Sequence, residues 1–424
     1  MEEKRGPIKI SLKTSLVLIL IFLVIVVTMY LVISSYKQSD QGDINITGNP
    51  EINFVPGAIE DFSLQFLKME NNKNNMIYSP LSIKYALNLL NEGANGNTKT
   101  QIEQVIRGIK LTQYKNIDNI LSLANGIYIR DDYSKYVKSE YINNVKNKYN
   151  AEIKFDRFKN ATNINKWIEE KTLGKIKNMI RDNTISNKNT KMVLLNALAI
   201  DMEWKTPFEG ENTIGREFNL INGSKMKATT MQLETSNREI SYYESSDITS
   251  VKMDLKKYEN TELEFIAVMP KENLDNYINK VTIKDIDKIL DNSKLASDTD
   301  NGLKIYIPKF SFDYKLKLKE DLIKLGIKEA FDLENADFTN MTNDKTGLYV
   351  SDALHNANID FSEKGIKASA ATGMIMTLKA SIDENSPKII EINRPFLYLI
   401  KDKNTNEVWF VGTVYEPNLW NNKN

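Results

Sequence analysis

Side-chain catalysis needs an imidazole, a thiol, a metal cluster or a phosphate cradle, and this chain offers almost none of these. It has one histidine, His355, and no cysteine. Thiol nucleophiles, thiolate metal sites and disulfides are therefore excluded together. Any Ser–His–Asp arrangement would have to use His355, and histidine-based metal centres lack ligands. No segment matches GxSxG, HExxH, a P-loop or GxGxxG. The inventory argues against an enzyme. The informative pattern lies near the C-terminus. Ile366, Ala368, Ala370, Thr372, Met374, Met376 and Leu378 alternate with Lys367, Ser369, Ala371, Gly373, Ile375 and Thr377. Six of the seven even-numbered residues are apolar and the only charge is odd, which is the period-2 pattern of a strand with one buried face. Yet some twenty residues separate Thr372 from the NRPF at 393–396, a length usual for functional or disordered connections. An exposed connection has no use for a buried face. The segment is therefore expected to have a second state in which it is a strand.

The elements around it mix helix and strand periods without strict alternation. Apolar residues at helical spacing occupy 59–67, and 80–90 carries a similar stripe with Ser79 placed to cap it. Residues 162–180 read as an amphipathic helix interrupted at Gly174. Strand-like runs cover 191–200, 262–269, 303–312, 395–401 and 408–415, the last two joined by the turn-rich DKNTN at 402–406. Helices early and hairpins late indicate an α+β fold.

Composition is that of a globular protein, 41% hydrophobic and 26% charged, and 56 acidic residues balance 56 basic ones. A long-range field for nucleic acid is thus missing, and no nucleic-acid partner is expected. The Asn-, Lys- and Ile-rich, cysteine-free composition fits a low-GC bacterial source. Residues 16–33 are an uncharged apolar run about as long as a membrane span. Lys4, Arg5, Lys9 and Lys13 precede it, so residues 1–34 are expected to be a cytoplasmic stub and anchor, with the remainder outside the cell. A cleaved signal peptide is the alternative, since Ser34 and Ser35 are small, although its apolar region is usually shorter. Residues 35–54 are polar linker, and 55–424 read as one large domain.

Several segments, in order, resemble the serpin family. They are NMIYSPLSI at 75–83, GANGNT at 93–98, LNALA at 195–199, WKTPF at 204–208, IPKF at 307–310, LGI at 325–327 and ADF at 336–338. EKG at 363–365, NRPFL at 393–397 and FVGT at 410–413 complete the set. Single pieces are weak, but the ordered set spans the domain.

The resemblance implies a serpin fold: a main β-sheet, two further sheets, surrounding helices and an exposed reactive loop at about 363–392. It implies a monomeric suicide inhibitor of serine proteases that uses no cofactor. Glu363, Gly365, Ile366, Ala368 and Ala370 would form the loop hinge, with Ile366 and Lys367 replacing the Thr or Ser and the Glu usual there. Family spacing puts the scissile bond fourteen residues beyond Gly365, between Lys379 and Ala380. Trypsin-like proteases are then the expected partners, with subtilisin- or elastase-like cutting at Leu378 or Met376 as the alternative. Ser79, Ser82, Asn196 and His355 would form a buried polar cluster where the sheet opens, and Trp204 would stand where the loop enters. The segment 108–124 is shorter than in heparin-regulated relatives, so no heparin partner is expected. The rival readings are a non-inhibitory carrier or chaperone on the same fold and, more remotely, an enzyme.

Overall fold

A computed structural model describes residues 62–106, 111–366 and 386–421. The apolar run 16–33, the polar stretch 35–54 and the alternating residues beyond Ile366 lie outside these. Among the described residues, no helix is long and apolar enough to cross a membrane.

The largest sheet has seven strands in the order β1 (Met76–Tyr78), β18 (Val408–Val414), β17 (Phe396–Asp402), β10 (Leu263–Pro270), β9 (Ile248–Asp254), β8 (Ile240–Glu244) and β11 (Lys294–Leu295). Its central strands β10, β17 and β18 are buried at every residue, which is why they read as apolar runs rather than alternations. The β17–β18 hairpin turns where DKNTN predicts. The Asp402 carboxylate accepts the backbone N–H groups of Asn404 and Thr405, and Asn406 takes the left-handed conformation. A second sheet runs β16 (Lys388–Glu391), β12 (Leu303–Pro308), β7 (Lys225–Thr235) and β6 (Ile214–Asn219).

Two further sheets position the site. One is β3 (Glu152–Asp156), β2 (Leu121–Arg130) and β4 (Met192–Ile200). The other is β13 (Phe310–Lys317), β14 (Leu354–Ser362), β15 (Gly365–Ile366) and β5 (Met202–Glu203). Only Asp201 separates β4 from β5, so these are halves of one broad sheet. They are joined at one end through β5 and β15, and among the described residues no ladder joins β4 to β14 below that point. Aromatic rings fill the core under the junction. Phe361 stacks on Phe310 at 4.6 Å and meets Phe265 at 4.6 Å and Trp204 at 5.2 Å. The fold is α+β.

Three expectations are corrected. The run 303–312 is two strands, because Lys309 carries the chain from the second sheet into the half-sheet of β14. The helix expected to reach 180 ends at Lys171. Leu173 and Gly174 both take positive φ there, and Asn165 ties the following stretch back by exchanging hydrogen bonds with the Ile180 backbone at 2.8 and 2.9 Å. The loop expected to run to about 392 stops sooner, since Lys388–Glu391 already pairs in parallel with β12.

Candidate functional site: the loop hinge and the cleft beneath it

The chain leaves β14 through a turn at Glu363 and Lys364 and at once forms β15. There Gly365 pairs with Ser362 and Glu203, and Ile366 with Phe361 and Met202. Gly365 is the only residue type that fits. A Cβ would lie 2.1 Å from the Met202 carbonyl oxygen and 2.7 Å from the Glu203 Cα. Ile366 is 3% exposed and belongs to the main core. It was expected to turn inward once the loop becomes a strand, yet it is already paired on both sides in the intact chain.

Trp204 sits against this turn. Its indole N–H donates to the Ser362 carbonyl at 2.8 Å and its backbone N–H to the Lys364 carbonyl at 2.9 Å. The Phe208 N–H donates to the Glu363 carbonyl at 2.9 Å. The Glu363 carboxylate receives Lys309 Nζ at 2.7 and 3.0 Å and the Thr213 hydroxyl at 2.8 Å. Burial works to raise this carboxyl, but the bond from Lys309, a bond from its own backbone N–H and the bond from Thr213 together outweigh it and hold the group below the usual range. Sequence reasoning missed both partners. Lys309 lay inside the IPKF motif, but nothing in that motif points across 54 residues to Glu363.

Below Ile366 the two half-sheets enclose a cleft. Leu198 and Ile200 of β4 line one wall, Ile359 of β14 lines the other, and Lys175 and Ile176 of the stretch after the shortened helix also border it. Below β15 each wall strand is laddered on its far side only, β4 with β2 and β14 with β13.

The polar cluster spans the seam lower down, at the start of the helix Pro80–Gly93. Ser79 caps this helix by accepting the Ser82 N–H at 3.0 Å, and Pro80 opens it. The same turn touches both walls. The Ser79 N–H donates to His355 Nε2 of β14 at 2.9 Å, while the Ser82 hydroxyl donates to Asn196 Oδ1 of β4. Asn196 Nδ2 then donates to Asn125 Oδ1 at 2.7 Å. Ser79, Ser82, Asn196 and His355 are thus brought together, with Asn125 as an unforeseen fifth member.

Burial pushes the His355 imidazole down to about 4. Nε2 accepts a hydrogen bond, so the ring is neutral with its proton on Nδ1. A histidine depressed in the folded state contributes stability fully above its unfolded value near 6.5, and loses it as pH falls toward 4. Acidification across that window should cost roughly 3 kcal/mol through this residue. Urea unfolding at pH 7 and pH 4.5 checks it. His355→Gln should flatten most of the pH slope, and an unchanged slope would assign the acid lability elsewhere.

Ala368, Ala370, Lys379 and Ala380 lie outside the described residues.

The profile of the serpin family, described as serine protease inhibitors, matches residues 57–417. An uncharacterized serpin-like protein of Methanosarcina acetivorans is 30% identical over 369 residues, 82% of this chain and 83% of its own. The native-state crystal structure of the thermophilic serpin tengpin is similar at TM-score 0.70 and 28% identity, covering 87% of this chain and 96% of tengpin. A complex of thyroxine-binding globulin with thyroxine is similar at TM-score 0.71 and 25% identity, covering 85% and 98%. With the profile spanning nearly all of 55–424, this chain belongs to the serpin family.

Proposed function

We propose that the protein is a suicide-substrate inhibitor of serine proteases that traps the acyl-enzyme by inserting its cut loop between β4 and β14. The observation that carries this reading is β15, already hydrogen-bonded between β5 and β14 above a cleft whose walls do not pair. Strand addition to such edges is a recognition mode for which serpin loops are a standard example. The register supports it further. Ile366 faces Phe361 and Met202. Continued in step, Ala368 would face Ile359 and Ile200, Ala370 would face Ala357 and Leu198, and Thr372 would face His355 and Asn196. The even-numbered loop residues thus match the buried residues of β14, since Phe361, Ile359, Ala357 and His355 are its inward set. The single even residue that is not apolar, Thr372, meets the polar cluster.

The chemistry belongs to the target. Its serine oxygen bonds to the Lys379 carbonyl carbon, the bond to the Ala380 nitrogen breaks, and that nitrogen leaves with a proton as a new N-terminus. The ester-linked inhibitor is then free to add strand. Thirteen steps separate Ile366 from Lys379, about 43 Å at roughly 3.3 Å each. The enzyme would be carried that far before water could release it.

The likeness to thyroxine-binding globulin shows that fold alone does not separate inhibitors from carriers. The hinge sequence favours the inhibitory reading, because the residues that would face inward from Ile366 to Ala370 are small or apolar. A location outside the cell, tethered through residues 16–33, completes the reading. Proteolytic shaving of intact cells tests it, and a domain released only on lysis would reject it.

Incubation with trypsin should give a complex that survives SDS. Mass spectrometry of the released fragment should find Ala380 at its start. With subtilisin or elastase in place of trypsin, complex formation with a fragment beginning after Leu378 or Met376 would instead indicate subtilisin- or elastase-like targets. One beginning after Lys388 or Arg394 would reject the bait register.

A further inference from the structure

The Lys309 ammonium on Glu363 is only as well placed as the Lys309 backbone, which is held on one side by β7, through the Lys309 N–H on the Thr229 carbonyl at 2.8 Å, and on the other by a segment beyond the family match. The ladder between β12 and β7 ends with Pro308 opposite Thr230, where Lys309 turns away into β13. Residues 418–420 take over the edge of β7 that β12 vacates. The Asn418 N–H donates to the Lys309 carbonyl at 2.9 Å, the Thr229 N–H to the Asn418 carbonyl at 2.8 Å, and the Trp420 N–H to the Lys227 carbonyl at 2.9 Å. Leu419 bridges Ala228 between them. Asn418 Oδ1 also accepts the Ser311 N–H of β13 at 3.2 Å. The Trp420 ring closes over Gly215 of β6, where a Cβ would fall 2.6 Å from two ring atoms. The family profile stops at 417.

We propose that residues 418–420 are a brace on the loop hinge, with Asn418 as a positioning residue. By fixing the backbone at Lys309 and Ser311, the segment keeps Lys309 on Glu363 and so keeps the turn 362–365 in the register from which β15 extends. The brace acts in the intact molecule. Its effect on inhibition rests on the inhibitory reading above, because a loosened turn starts insertion late and lets deacylation compete.

Hydrogen exchange and inhibition stoichiometry test both parts on the full-length protein, a variant ending at Pro417, Asn418→Ala and Asn418→Asp. The amides of Trp204 and Phe208, which donate to the Lys364 and Glu363 carbonyls, should exchange about tenfold faster in the shortened variant. Asn418→Ala should give about threefold, and Asn418→Asp, which keeps the acceptor for Ser311, should stay near the parent. Amides of the β17–β18 hairpin should not change. Unaltered exchange at Trp204 and Phe208, or equal acceleration throughout the fold, overturns the brace. The moles of inhibitor consumed per trypsin should rise at least threefold in the shortened variant. Local loosening with unchanged stoichiometry overturns the link to insertion. Should the parent protein form no complex with any protease, the inhibitory reading fails while the exchange result still decides the brace.

Discussion

If the proposed inhibition of trypsin-like proteases holds, Ile366→Arg should give a substrate that is cut and released. Ile366 is 3% exposed and paired to Phe361 and Met202. Its pairing partners Met202 and Phe361 are both fully buried, so the guanidinium would find apolar surroundings. Burying a charge unpaired costs several kcal/mol, so the guanidinium should expel β15 from between β5 and β14 in the intact chain, and insertion would then have to bury it. Each 1.36 kcal/mol on that barrier is tenfold in rate. Insertion slowed by about 100-fold or more loses the race against hydrolysis of the ester. The expected readout is a gel in which the SDS-stable complex disappears while the nicked chain accumulates at the same rate of cutting. Lys367→Glu is the control. Position 367 has the opposite parity and should keep the parent stoichiometry. Complex formation by Ile366→Arg at parent stoichiometry would remove insertion from the mechanism.

Parity was the legible part of the site, because a strand writes its buried face into every second residue. The alternation from Ile366 to Leu378 can be read from the residues alone, whereas Thr372 would gain a reason only in the proposed insertion register, opposite His355 and Asn196. The location of the scissile bond is of another kind. Lys379 follows from counting along a family pattern, and no local chemistry at that residue marks it. Long-range partnerships were illegible for a physical reason. Lys309 reaches Glu363 because the chain changes sheets at 309, and Asn418 reaches Lys309 because β12 ends where it does. A hydrophobic period records which face is buried, not which strand end lies beside another. The overrun of the helix to 180 has a similar origin. The apolar residues Ile176 and Ile180 keep helical spacing, but they pack from an irregular stretch tied down by Asn165. The early pairing of Ile366 was also invisible, since a strand of two residues has no period to read.

Cleavage within residues 367–385 should raise the melting temperature by about 10–20 °C. The cleft side of β4 from 193 to 200 and of β14 from 355 to 360 carries backbone groups with no ladder partner among the described residues. Unpaired strand edges of this kind are costly when buried and are the natural template for a further strand. One strand added between them would supply roughly a dozen hydrogen bonds at about 1 kcal/mol net each. For a domain of this size each kcal/mol is worth about 1–2 °C. The apolar even-numbered side chains add burial to that, while ordering the loop costs part of it. The measurement is calorimetry on the intact protein and on chain nicked by a catalytic amount of protease, with both fragments retained. Ile366→Arg nicked in the same way separates insertion from any other effect of the cut, because the guanidinium should keep the strand at 366 out of the sheet, and the nicked variant should melt with the intact variant. If nicked and intact parent protein melt together, the cleft does not accept the loop. The chain would then be a serpin that keeps the fold without the trap.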